Sequence, residues 1–205
     1  SYLQKDFISS ISHEFKTPIA SIRGFARLLQ MPGLTEAQRQ EYVDLIAQES
    51  DRLSRLSQTL LRLSALEQQS APASLTEFSL DEQLRQVILR LEPTWSARGI
   101  SWQLDLNSVT VVSDEELLSH VWMNIIQNAI KFSPENAVIE VRVFATDTAT
   151  VEITDHGIGI DDATVKRIFD RFYQADRSRK QEGVGLGLCL VKRILDMLGG
   201  TVSVD

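Results

Sequence analysis

The stretch Phe7-Ile-Ser-Ser-Ile-Ser-His-Glu-Phe-Lys-Thr-Pro-Ile19 places an imidazole next to a carboxylate on the polar side of an amphipathic helix. Ile8, Ile11, Phe15, Ile19, Ile22, Ala26 and Leu29 recur at helical spacing and form the apolar stripe. His13 and Glu14 are left on the other side. A histidine with a neighbouring base can act as a nucleophile. Pro18 supplies no N–H, so the helix is expected to kink or loosen one turn past His13.

Outward from this helix, Met-Pro-Gly-Leu at 31–34 breaks the pattern, and Thr35 with Gln38 forms a capping box that starts a second helix. There Ile46, Leu53 and Leu60 alternate with Glu49, Leu56 and Leu63 in a heptad. Two such helices joined by a short turn predict an antiparallel hairpin. Its apolar seam cannot be buried by the hairpin alone, so a dimeric four-helix bundle is expected. Taken by itself, the segment reads most simply as a packed αα-hairpin without chemistry.

Ser-Ala-Pro-Ala-Ser at 70–74 reads as a linker. The expected division is a helical hairpin over 1–69, a linker over 70–76 and a second domain over 77–205. In the second domain Ser79 with Glu82 is expected to cap a helix running to about 98. Strands are expected at 100–106 and 109–112. Ser113 with Glu116 is expected to cap a helix to about 132. A two-stranded hairpin over 138–144 and 150–154 follows, then a long polar stretch, then a helix over 186–198 ended by Gly199-Gly200. These numbers imply a sheet with helices packed on one face.

Composition narrows the function. The 205 residues are 43% apolar and 24% charged, which is ordinary for a globular chain. A net charge of −7 argues against nucleic acid as a partner, since phosphate-backbone binding needs a basic face. Local groups must then hold any anionic ligand. The single cysteine, Cys189, rules out an internal disulfide and suits a reducing compartment. No apolar run approaches the roughly 18 residues of a membrane span. Both ends read as cuts within a longer protein.

Three motifs carry chemistry in the second half. In Asn124-Ile-Ile-Gln-Asn-Ala-Ile-Lys131, His120, Asn124, Gln127, Asn128 and Lys131 line one helix face. A side-chain amide oxygen suits Mg²⁺, and Lys131 could neutralise phosphate charge. Next, a strand delivers Asp155, and Gly157 and Gly159 let the backbone turn close to a ligand. A carboxylate there can accept from an exocyclic amine such as adenine N6. Third, Gly183, Gly185 and Gly187 open the last helix, where backbone N–H groups can face phosphates. The spacing is not G-x-G-x-x-G, so the dinucleotide fingerprint fails. Between the glycine motifs, residues 161–182 have the polarity of a mobile lid, with Arg177, Arg179 and Lys180 as candidate phosphate contacts. Singly, each motif is also read as a solvated helix face, a turn or a loop charge.

Together and in this order, the motifs resemble the transmitter region of two-component sensor histidine kinases over nearly the whole chain. Residues 12–18 look like the H box, 124–131 the N box, 155–160 the G1 box, 167–172 the F box and 183–188 the G2 box. The resemblance implies an all-α helical hairpin in a dimeric four-helix bundle. An α/β sandwich ATP-binding domain of the GHKL type would follow it. It implies His13 as phosphoacceptor, Glu14 as adjacent base, Asn128 as Mg²⁺ ligand, Asp155 as adenine reader, and Asn124 and Lys131 as further nucleotide contacts. Thr17 completes a His-Glu-x-x-Thr pattern associated with dephosphorylation of the partner regulator. The implied activity is ATP-dependent autophosphorylation followed by transfer to an aspartate on a response-regulator receiver domain. The implied cofactors are ATP and Mg²⁺, the implied state a homodimer. The implied location is the cytoplasmic side of a membrane, with attachment through parts absent here. A GHKL ATPase and a degenerate scaffold are the competing classes. His156 and Val184 depart from the residues usual at their positions. The chain also stops before the family's final strand, so an incomplete sheet edge is expected.

Overall fold

The computed structural model describes residues 2–68, 72, 74–170, 173 and 185–204, and for 2–8 and 10 the backbone alone. Helices α1 (Tyr2–Leu28) and α2 (Glu36–Gln68) form the hairpin. The Thr35 capping box is reciprocal: Thr35 Oγ1 accepts from the Gln38 N–H at 3.2 Å, and Gln38 Oε1 accepts from the Thr35 N–H at 3.0 Å. Phe25 stacks on Tyr42 with ring centroids 5.9 Å apart near the turn. α1 runs through Pro18 without a break. Pro18 is buried, and its ring removes only the N–H that would have bonded the Glu14 carbonyl. The expected disturbance is therefore a loss of one backbone bond, not an end to the helix.

The hairpin buries little by itself. Leu56, Leu63 and Leu66 are the buried positions of α2, whereas Ile19, Leu28, Met31, Val43 and Leu61 stay exposed. Of the expected heptad only Leu56 and Leu63 are buried; Ile46, Leu53 and Leu60 are half-buried.

The remaining elements are β1 (Thr76–Ser79), α3 (Leu80–Arg90), α4 (Glu92–Ala97), β2 (Ser101–Leu106), β3 (Thr110–Ser113) and α5 (Glu115–Phe132). They continue as β4 (Val138–Ala145), β5 (Ala149–Thr154), α6 (Asp162–Val165) and α7 (Gly187–Leu198). β2 pairs parallel with β4, and β4 pairs antiparallel with β5. Along β4 the alternation is clean: Ile139, Val141 and Val143 are fully buried, in one core with Val121, Ile126 and Ile130 of α5 and Val191 and Ile194 of α7. The opposite face carries Arg142, paired with Asp105 at 3.6 Å and Glu152 at 2.9 Å. Helices thus cover one face of this sheet, as expected.

Several expectations need correction. The expected single sheet is two, because β1 pairs antiparallel with β3 apart from β2-β4-β5. β1 itself was not expected. Its four residues, Thr-Glu-Phe-Ser, lack an alternating pattern, and their partner lies some 30 residues on. The Ser79 hydroxyl caps nothing. It donates to Asp81 Oδ1 at 2.6 Å, the main cause holding the Asp81 carboxyl below its usual range. The helix expected to reach about 98 breaks at Leu91, because Pro93 in the first turn of α4 has no N–H for the preceding ladder. The Thr-Val-Ser-Val alternation at 201–204 suggests a strand by its period, yet these residues form none, although Val202 packs on the core.

The cap of α5 is also one residue later than expected. Ser113 ends β3 opposite Thr76, and buried Asp114 is the N-cap. Asp114 Oδ1 accepts from the Leu117 N–H at 3.1 Å and Oδ2 from the Ser74 N–H at 3.3 Å. Asp114→Ala should therefore destabilise the protein by roughly 1–2 kcal/mol in urea unfolding. Ser113→Ala should stay within about 0.5 kcal/mol of wild type. Equal effects would show that Asp114 does not cap α5.

Candidate functional site

Glycines bring the second-half motifs to α5. A Cβ on Gly187 would lie 2.7 Å from Asn124 Oδ1, so a side chain at the start of α7 would displace this amide. Asn124 Nδ2 in turn donates to the His120 carbonyl at 2.8 Å. At the other end of α5, a Cβ on Gly157 would lie 2.6 Å from the Phe132 carbonyl oxygen and 2.7 Å from Asp155 Oδ1. The turn after β5 is therefore pressed against the last carbonyl of the helix. Gly157 N–H donates to Asp155 Oδ1 at 2.9 Å, closing the turn on the carboxylate itself. Gly159 takes φ +70° and Gly185 φ +67°, a region that favours glycine.

Asn128 is half-buried on α5, one turn after Asn124, and Asp155 is exposed at the end of β5. The Lys131 ammonium lies 4.8 Å from the Phe132 ring centroid. Asp161 N-caps α6, its carboxylate accepting from the Thr164 N–H at 2.7 Å; that bond is the main cause lowering the Asp161 pKa. His156 Nε2 lies 3.1 Å from Glu140 Oε1. Arg177, Arg179, Lys180, Gly183 and Val184 lie outside the described residues.

His13 is exposed on α1. Glu14 Oε2 lies 3.9 Å from Arg52 Nη2 of α2, and Arg52 Nη1 lies 3.8 Å from Glu49 Oε2. The carboxylate next to His13 is thus shared with a cation that gave no signal in the sequence. Thr17 Oγ1 donates to the His13 carbonyl at 3.3 Å. His120 does not join the amide row of α5 as expected. Its Nδ1 lies 2.9 Å from Arg62 Nη1 of α2.

A helical hairpin with exposed apolar residues and an exposed histidine, followed by a helix-covered sheet with glycine turns gathered on an asparagine helix, defines a histidine-kinase-type arrangement. The family model described as the His Kinase A (phospho-acceptor) domain matches residues 3–69. The one described as histidine kinase-, DNA gyrase B- and HSP90-like ATPase matches residues 113–205. The chain belongs to the sensor histidine kinases of two-component systems and contains their transmitter region.

It is 30% identical over 204 residues to the heme sensor protein HssS of Staphylococcus saprophyticus, covering 99% of this chain and 44% of that protein. The chain thus spans less than half the length of this relative. Among solved structures it is similar to full-length ShkA in complex with AMPPNP (29% identity, TM-score 0.67, 95% of this chain and 41% of that one). Its fold also matches the histidine kinase ThkA in complex with the response regulator TrrA (23% identity, TM-score 0.77, 95% and 55%).

Proposed function

We propose that this chain transfers the γ-phosphoryl group of ATP to His13 and passes it to an aspartate on a response-regulator receiver domain. The observation that carries the reading is the gathering of Gly157 and Gly187 on α5, the helix that presents Asn124, Asn128 and Lys131. Glycine-limited backbone beside side-chain amides fits a polyanionic nucleotide. The AMPPNP bound by ShkA supports the same ligand class.

In this reading Asp155 accepts from the adenine amine, with Oδ1 already held by Gly157. Asn128 holds Mg²⁺. The donor fits: Asn128 is half-buried on α5, and a single amide oxygen suits a hard ion that keeps its waters and binds mainly through phosphates. Bound there, Mg²⁺ would neutralise charge on the transferring phosphoryl group. Asn124, Lys131, Gly159, Gly185 and Gly187 are further nucleotide contacts in this reading, and Gly183, Arg177, Arg179 and Lys180, which lie outside the described residues, are candidate phosphate contacts.

The His13 ring attacks the γ-phosphorus through one nitrogen as the bond to the β–γ bridging oxygen breaks and ADP leaves. Glu14 hydrogen-bonds the other and relieves the positive charge that develops. That role requires Glu14 to turn from Arg52 toward the ring. The 3.9 Å pair is between partly exposed groups and holds the carboxylate weakly. Thr17 is the candidate for positioning water during dephosphorylation of the regulator. The exposed Ile19, Val43 and Leu61 of the hairpin favour a homodimer, which would bury them. Residues 1–69 act as the dimerisation and phosphotransfer unit and 77–205 as the catalytic unit. Membrane attachment of the full-length protein would lie outside these elements, since among the described residues no helix is long and apolar enough to cross a membrane. Acid-labile label from γ-labelled ATP, lost on His13→Gln, tests the reading. Steady phosphate release without such label would overturn it.

A further inference from the structure

Arg62 of α2 and His120 of α5 are 58 residues apart in sequence and 2.9 Å apart at Nη1 and Nδ1. A guanidinium has only donors, so Nδ1 must accept. His120 is thereby fixed as the neutral tautomer with its proton on Nε2. That Nε2 atom is buried without a hydrogen-bond partner, 3.8 Å from Glu116 Oε1, and the side chain is 23% exposed. Burial is the main cause holding the His120 pKa below 6.5. The Arg62 charge adds to it, Glu116 opposes it and Arg90 adds a smaller share.

The pair lies at a cleft of about 540 Å³ between the hairpin and the second unit. The charged groups facing this cleft are Arg62 of α2, Glu82 and Arg90 of α3, and Glu115 and Glu116 of α5; β1 contributes only Phe78 and Ser79. Beyond Arg62, Leu63 and Leu66 are buried, and Arg193 Nη2 of α7 donates to the Leu66 carbonyl at 2.9 Å. α2 is thus gripped by α5 and by α7. The grip on α7 runs through a guanidinium on a backbone carbonyl, whereas the grip on α5 depends on the protonation of an imidazole.

We propose that Arg62 and His120 form a proton-operated latch between the hairpin and the ATP-binding unit, closed while His120 is neutral and opened by its protonation. A charged ring would set N–H against N–H and cation against cation at 2.9 Å. Closure needs the neutral ring, so the closed-state pKa lies below the open-state value, near 6.5 for an ordinary imidazole. The latch is at full strength above that open-state value. It weakens as pH falls through the depressed closed-state value. Because the His120 carbonyl holds Asn124, latch and nucleotide face share one turn of α5. The regulatory meaning, control of how the ATP-binding unit reaches His13, rests on the kinase reading above. The latch itself does not.

The chain has three histidines, so ring NMR signals can be assigned by single substitution. In a pH titration, wild-type His120 should titrate below 6.5, and the Leu63 and Leu66 methyl signals should follow the same curve. Arg62→Met should move the His120 pKa toward 6.5 and show the low-pH methyl positions at every pH. His120→Gln, whose oxygen still accepts from Arg62, should keep the closed positions down to about pH 5. A His120 titration unchanged by Arg62→Met overturns the latch, as do methyl signals that ignore the titration. None of these measurements uses ATP or phosphate transfer, so their failure would leave the kinase reading standing, and the reverse.

Discussion

Incubated with γ-labelled ATP, the wild-type chain should acquire label that is stable to base and lost in acid, and His13→Gln should acquire none. A phosphoramidate on imidazole has this lability, whereas serine and threonine phosphates survive acid. Glutamine keeps a polar side chain at position 13 and removes the nucleophilic ring. His13 is exposed, so the change should leave stability within about 0.5 kcal/mol, and unchanged unfolding would confirm that the loss is chemical. Glu14→Gln should slow labelling by about 10²–10⁴-fold, the usual range for a positioned base. Acid-labile label of wild-type intensity on His13→Gln would remove the histidine from the mechanism.

Gly157→Ala should weaken nucleotide binding by roughly 5- to 150-fold, the equivalent of about 1–3 kcal/mol of overpacking. The new methyl would lie 2.6 Å from the Phe132 carbonyl oxygen and 2.7 Å from Asp155 Oδ1. Neither obstacle yields easily. The first is the end of α5, whose buried face belongs to the core, and the second is held by the Gly157 N–H. The turn must therefore lift from α5 and take Asp155 with it. Gly159→Ala meets open space and bears only the left-handed backbone cost of about 1–2 kcal/mol. Titration with a fluorescent ATP analogue compares the two, with the unfolding curve as control for the fold. Wild-type affinity in Gly157→Ala would exclude this turn from the nucleotide site.

The hairpin was legible because its signals are local. Thr35 and Gln38 bond each other across three residues, and Leu56 and Leu63 of α2, both buried, stand one heptad apart. The β4–β5 pair was legible for the same reason. What was misread depends on distant partners. β1 exists because β3 offers it a ladder, and Ser113 lost the capping role because that ladder claimed it, leaving Asp114 to cap α5. Ser79 offered a cap by residue type and gave its proton to Asp81 instead.

The candidate site divides in the same way. The chain's order of histidine, asparagine and glycine motifs specified the family and the candidate residues for its chemistry, since residue type and short spacing are properties of the sequence alone. The tertiary structure decided which of them touch. It set Gly157 on the Phe132 carbonyl and Gly187 on Asn124, placed Arg52 beside Glu14, and turned His120 from the amide row toward Arg62. Helical period sets the angle at which a side chain leaves its helix. The neighbour it meets depends on where Leu63 and Leu66 are buried, and that follows from packing two units whose contacts lie many tens of residues apart.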